Sequence, residues 1–170
     1  MIRLIITLWT ICTLRYGPQV LPGTRNTLYW VLGLHLVIGT LYNLVFADVL
    51  YALQMELAAL LISYVFVRVA LLLGNRNERF NQTLTALLGS DVIISAVGLL
   101  LVNVLMLGLG LEALWTSTSL LLMAWSFIVA AHIFRHSFST HFAVGSLIAF
   151  MFFFTSLVFV VLLQSSMSSQ

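Results

Sequence analysis

Residues 50–74, LYALQMELAALLISYVFVRVALLLG, and residues 84–110, LTALLGSDVIISAVGLLLVNVLMLGLG, decide the fold. Each exceeds the roughly 20 mostly apolar residues that carry a helix across a hydrocarbon layer. Between them stand only residues 75–83, NRNERFNQT. The pattern is a hairpin of two spanning helices joined by a polar turn centred near Arg79. Neither stretch alternates polar with apolar residues, so helices are favoured over barrel strands.

Working outward, residues 27–47, 113–134 and 142–163 are equally rich in Leu, Val, Ile and Phe. The expected fold class is all-α, a polytopic bundle of five transmembrane helices within residues 27–163, followed by the polar tail 164–170. Composition agrees: 62% of the 170 residues are hydrophobic and 7% are charged, with mean hydropathy +1.13. A soluble domain of this size could not hide that much apolar surface, so lipid is the expected solvent. Seven scattered arginines form no stripe or patch, so no nucleic-acid partner is expected. Cys12 is the only cysteine, which excludes an intramolecular disulfide.

There are no lysines, and Arg15, Arg25, Arg76, Arg79 and Arg135 flank or fill alternate connections. Asp48, Glu56 and Glu112 lie in or beside the others. Basic residues resist translocation, which puts the arginine connections and the N-terminus in the cytoplasm and the C-terminus outside. No span contains a proline and no internal repeat is visible, unlike carriers built from broken, paired helices.

Residues 1–14 are too short to span comfortably. Arg3, Thr7, Thr10 and Thr13 recur at helical spacing opposite Leu4, Ile5, Leu8 and Ile11. The expected element is a short amphipathic interfacial helix lying on the bilayer. No cleavage site of the A-x-A type follows, so a secretory signal is not expected. Pro18 and Pro22 stop this helix and hold the linker 15–26 extended.

Two charges lie inside the expected spans, Arg68 and Asp91. They are nearly equidistant from a turn centred at Arg79, so the depth argument predicts an intramembrane ion pair. Such a pair would relieve a cost on the order of 3 kcal/mol for an isolated charge. Its simplest role is to lock the hairpin in register; alternatively Arg68 snorkels to the headgroups and leaves Asp91 protonated. The same argument gathers His35, Ser90, Ser95, Ser126 and Ser146 into an inner-leaflet polar layer. That layer is either interhelical hydrogen bonding or a small pocket for a headgroup, proton or ligand. Glu56 and Asn103 are expected near the outer surface, supporting packing.

Arg76, Arg79, Gln82, His132, Arg135, His136 and His141 make up the expected cytoplasmic interface. His132 and His136 have the i, i+4 spacing that suits zinc, and His35 with His132 could flank a haem. No cysteine or carboxylate completes a metal site, and His35 should sit deeper than His132, so neither a metal nor a cofactor is expected. There is no G-x-S-x-G, no H-E-x-x-H and no phosphate-cradling glycine loop, so the chain is not read as an enzyme. Gly145 and Ala149 form a small-xxx-small pair that lets two helices approach closely.

The segments ERFNQTLTALLGSD (78–91) and WSFIVAAHIFRHSF (125–138) resemble small bacterial membrane proteins related to the Yip (Ypt/Rab-interacting) family. The likeness covers most of the chain, from GPQVLP to the last span, and is carried by Arg79, Gln82, Thr83, Trp125, His132 and Arg135. It implies five spans with a cytoplasmic N-terminus in the bacterial inner membrane. The family's trafficking members use a longer cytoplasmic region that this chain lacks, so Rab binding is not implied. The expected function is a non-enzymatic scaffolding, assembly or trafficking-like role, with a membrane-protein partner or a homo-oligomer in the bilayer. The alternative is a small transporter, channel or lipid-binding protein using the layer around Arg68, Asp91 and His35.

Overall fold

The computed structural model describes residues 2–108 and 111–167. Met1, the end of the expected third span (109–110) and the last three residues of the expected tail (168–170) lie outside the described residues. All described regular structure is helical: α1 (Ile2–Cys12), α2 (Arg25–Asn43), α3 (Val49–Leu73), α4 (Phe80–Val102), α5 (Glu112–Phe138) and α6 (Phe142–Met167). Four segments are long and apolar enough to cross a membrane: Val49–Leu73, Asn77–Leu105, Leu114–Phe138 and Phe142–Ser165. The chain is therefore a helical membrane protein. At 19 residues α2 is shorter and more polar, and it falls outside that set of four.

Successive long helices run antiparallel and close into a ring. Helix α2 lies against α3 and α4, α4 against α5, α5 against α6, and α6 returns to α3. One end of the ring, the basic end, carries Arg25, Arg76, Arg79 and Arg135. On its half Val67, Leu71, Leu84, Leu88, Ile133 and Phe134 are fully buried and form an apolar plug. The close approach expected of Gly145 is present, because a Cβ there would meet the Ala131 carbonyl and the Arg135 amide of α5. Ala149, one turn on, is fully buried.

Helix ends follow local chemistry. Thr24 caps α2 by accepting from Thr27 N at 3.4 Å, and Asp48 caps α3 by accepting from Tyr51 N at 2.9 Å. Helices α1, α3 and α5 all end in the same paired bonds, with Leu14, Asn75 and Ser139 at positive φ. This is the Schellman arrangement, and none of the three positions is the usual glycine.

The α3–α4 turn differs from the expected one. The chain reverses within Gly74–Arg76, and Asn77–Arg79 already forms a helical turn leading into α4. Most of the polar run expected as a loop is therefore helix, because Arg79, Asn81, Gln82 and Thr83 find partners on other segments. Residues level across the hairpin are then symmetric about residue 74 rather than 79, which sets Arg68 beside Phe80 and Glu56 near the level of Asp91. Similarly, α6 continues to Met167 through the start of the expected tail, and Gln164 donates to the Tyr51 hydroxyl at 2.8 Å.

Helix α1 packs against α4 and α5 instead of standing apart on a surface. Leu8 sits on Gly89, Trp9 meets Trp125 edge to face at 6.3 Å, and Trp125 Nε1 donates to the Cys12 carbonyl at 2.9 Å. Cys12 thus lies level with Ser90 and Trp125, midway along their helices. The threonine stripe is no sign of an aqueous face, because its hydroxyls bond their own helix: Thr7 to Arg3 O at 2.8 Å, Thr10 to Thr7 O at 2.7 Å, Thr13 to Trp9 O at 3.1 Å. Such hydroxyls need no water, and the outward residues Ile2, Ile5, Ile6 and Trp9 are apolar.

Candidate functional site

Midway along the bundle one imidazole joins three helices. His35 on α2 meets Glu56 Oε1 on α3 through Nδ1, and its Nε2 lies 3.0 Å from Asp91 Oδ2 on α4. The His35 and Glu56 side chains are buried, whereas that of Asp91 is 47% exposed. Gly39, one turn after His35, makes room for Glu56: a Cβ at that position would fall on the carboxylate.

The imidazole thus stands between two carboxylates, each near one of its ring nitrogens. An imidazole beside two carboxylates inside an apolar bundle offsets part of the cost of placing those charges there.

The expected Arg68–Asp91 pair does not form. Arg68 lies six residues from the hairpin's centre and Asp91 seventeen, so they sit at different heights. The guanidinium of Arg68 stands over the Phe80 ring, 5.4 Å from its centroid. Glu56, expected near the outer surface, takes part in the central cluster instead.

A cavity of about 170 Å³ adjoins the trio and is walled by all five long helices. It has room for several water molecules. Its polar lining comes from His35, Ser63, Ser90, Asp91, Ser126 and Ser156, one or two groups per helix. Of the residues expected in an inner-leaflet layer, His35, Ser90 and Ser126 line this cavity, while α3 contributes Ser63 and α6 contributes Ser156. Ser146 lies near the start of α6 and lines neither this cavity nor its neighbour. A shallower recess of about 210 Å³ shares Asp91 and Ser126 and adds Tyr42, Ser95 and Ser119. Tyr42 is in the last turn of α2 and Ser119 is early in α5, so the recess leads away from the basic end. On the other side the Val67–Phe134 plug separates the trio from the arginines.

No family model matches this chain, and neither does any curated protein or solved structure.

The residues expected at a cytoplasmic interface mainly fasten the linker to α4 and α5. Arg79 Nη1 donates to the carbonyls of His136 and Ser137, both at 3.0 Å, and to Ser139 Oγ at 2.8 Å. Gln82 Nε2 donates to Leu21 O at 3.0 Å and Gln19 Nε2 to His136 O at 2.9 Å. His132 Nε2 donates to the Tyr16 carbonyl at 3.1 Å, with the ring of His136 4.5 Å away. Arg135 and His141 are exposed, and Arg76 is half-buried in the α3–α4 turn. Among the described residues no three His, Cys, Asp or Glu side chains are grouped as metal ligands. In the trio both ring nitrogens of His35 face carboxylates.

The arrangement gathers an imidazole and two carboxylates from three helices beside a cavity. Sequence reasoning misplaced Glu56 because it measured depth from the wrong centre, and it passed over Ser63 and Ser156. One signal points to the cluster: His35, Glu56 and Asp91 are titratable groups in the middle stretches of three consecutive apolar segments.

Proposed function

We propose that this protein is a small proton-translocating carrier of the membrane, with Asp91 as the group that loads and unloads the proton. In this reading α2 is a fifth span: its 19 residues reach about 29 Å, close to the thickness of a hydrocarbon core. The basic end and the N-terminus face the cytoplasm, and the inner membrane of a bacterium is the location implied by the Yip resemblance. Helix α1 dips into the inner half of the bundle rather than lying flat.

The observation that carries the reading is the His35–Glu56–Asp91 cluster beside a cavity walled by five helices. Ionisable groups inside a membrane domain, here beside a cavity, are by default candidates for function. Hydroxyls of Tyr42, Ser95, Ser119 and Ser126 supply hydrogen-bonding stations from Asp91 toward the outer face. The apolar plug separates Asp91 from the inner face, and in an alternating-access cycle that is the half that would have to open.

Proteoliposomes loaded with a pH dye and polarised by a potassium gradient with valinomycin test this. Wild-type protein should acidify the lumen faster than protein-free vesicles, and Asp91→Asn should return the rate to that of empty vesicles. Equal rates for wild type and empty vesicles, or an unaltered rate in a folded Asp91→Asn variant, would remove the proposal.

A further inference from the structure

Arg68 stands apart from Asp91, and its surroundings form a second site that is independent of the proton reading. It lines a groove of about 440 Å³ at the basic end, between α2, α3 and the start of α4. Arg25, the first residue of α2, lines the same groove with Tyr29, Tyr64 and Asn77. Among the described residues neither arginine has a carboxylate within ion-pair distance. The groove's one carboxylate, Glu78, lies 3.9 Å from Arg79 Nε, with 64% of its side chain exposed. Phe80 backs one face of the Arg68 guanidinium and holds it in place, leaving its edges free to donate.

The groove continues into an apolar lane. Leu53, Leu57, Leu61 and Tyr64 are exposed at helical spacing along α3 below Arg68. On α2 a Cβ at Gly33 would meet nothing within 4 Å, so the facing wall is open. Two guanidiniums at the head of an open apolar lane match a phosphate joined to acyl chains. Guanidinium groups are the side chains best suited to grip a phosphate by paired hydrogen bonds.

We propose that this groove is a binding site for a membrane phospholipid, with the phosphate held by Arg25 and Arg68 and an acyl chain along the leucine lane. The lipid would also close the gap between α2 and α3 at their basic ends.

The test uses the full chain in a neutral detergent, titrated with dioctanoyl phosphatidylglycerol and followed by microscale thermophoresis. Saturable binding is expected, weakened roughly tenfold by Arg68→Gln and by Arg25→Gln, as loss of a charge-assisted hydrogen bond implies. Arg15→Gln, outside the groove, should bind as wild type. Dioctanoyl glycerol with a glucose headgroup has the chains without the phosphate and should bind roughly tenfold more weakly. If Arg68→Gln fails to fold, Arg25→Gln at an exposed helix start carries the comparison. Equal affinity for the sugar lipid, or unchanged affinity in the arginine variants, overturns the site. Full competition by millimolar inorganic phosphate would show a free-anion site and overturns it too.

Discussion

His35 Nε2 lies 3.0 Å from Asp91 Oδ2, and the same ring turns its Nδ1 to Glu56, so a residue of α2 ties α3 to α4. Each group is the others' compensation. Replacing His35 alone by Leu should therefore cost about 3–5 kcal/mol, because a buried carboxylate loses its partner. The triple replacement of His35, Glu56 and Asp91 by Leu should recover most of that, since apolar groups of similar size need no compensation. Reversible unfolding in mixed micelles with increasing dodecyl sulfate measures both. A triple variant no more stable than the single one would mean the three groups do not act as a unit.

Gly39 and Glu56 make a second, sterically defined pair. A methyl group at 39 falls where the Glu56 carboxylate lies, and overpacking of this kind costs about 1–3 kcal/mol. Gly39→Ala should be destabilising by that amount, and Glu56→Ala in the same chain should offset part of the loss by opening space. Simple additivity of the two would show that they are not in contact.

Much of the architecture is legible in the sequence alone. Helical class and the long apolar segments follow from the length of the hydrophobic runs, and their edges match α3, α5 and α6 within a few residues. The position of one turn is not legible in the same way. Polar letters ordinarily mark a loop, yet in NERFNQT they fasten α4 to the linker and to α5 while the backbone is helical. Moving the hairpin's centre from residue 79 to residue 74 changes the level partner of Asp91 from the region of Arg68 to that of Glu56. On α6 the cavity takes Ser156 rather than Ser146, although that helix begins where expected. Helix α1 packs on α4 and α5, and its threonines, polar letters in a sequence pattern, satisfy their hydroxyls within their own helix.

Arg79 fastens the end of α5. It donates to two carbonyls and to the Ser139 hydroxyl, at the negative end of the helix dipole. Its side chain is 26% exposed, so water replaces part of what is lost on mutation. Arg79→Gln should cost about 1–2 kcal/mol in the same unfolding measurement, whereas Arg135→Gln, at an exposed position, should change stability by less than about 0.5 kcal/mol. Matching losses in the two variants would mean the clamp is not formed.

The Cys12 thiol is buried under α4 and lies 3.9 Å from the Ser90 carbonyl. Only an accessible thiolate reacts readily, so Cys12 should resist maleimide at pH 8.5 in the folded protein and label quickly in dodecyl sulfate. Trp125→Phe removes the bond to the Cys12 carbonyl and should raise the folded-state labelling rate by loosening α1. Rapid labelling of the folded wild type would place α1 away from α4.

Leu14 closes α1 at φ 62°, the left-handed position of a Schellman ending. Arg15 N bonds the Thr10 carbonyl at 2.9 Å and Leu14 N that of Ile11 at 2.9 Å, so the turn is fully bonded despite an unfavourable residue. A left-handed conformation costs an ordinary L-residue roughly 1–2 kcal/mol, and glycine avoids it. Leu14 is 41% exposed and gives up little packing. Leu14→Gly should therefore leave stability unchanged or raise it by up to about 1 kcal/mol after the glycine's greater unfolded-state entropy is counted. Leu14→Val should lower it, because a β-branched residue tolerates this conformation least. A destabilised glycine variant beside an unaffected valine variant would show that α1 ends in some other way.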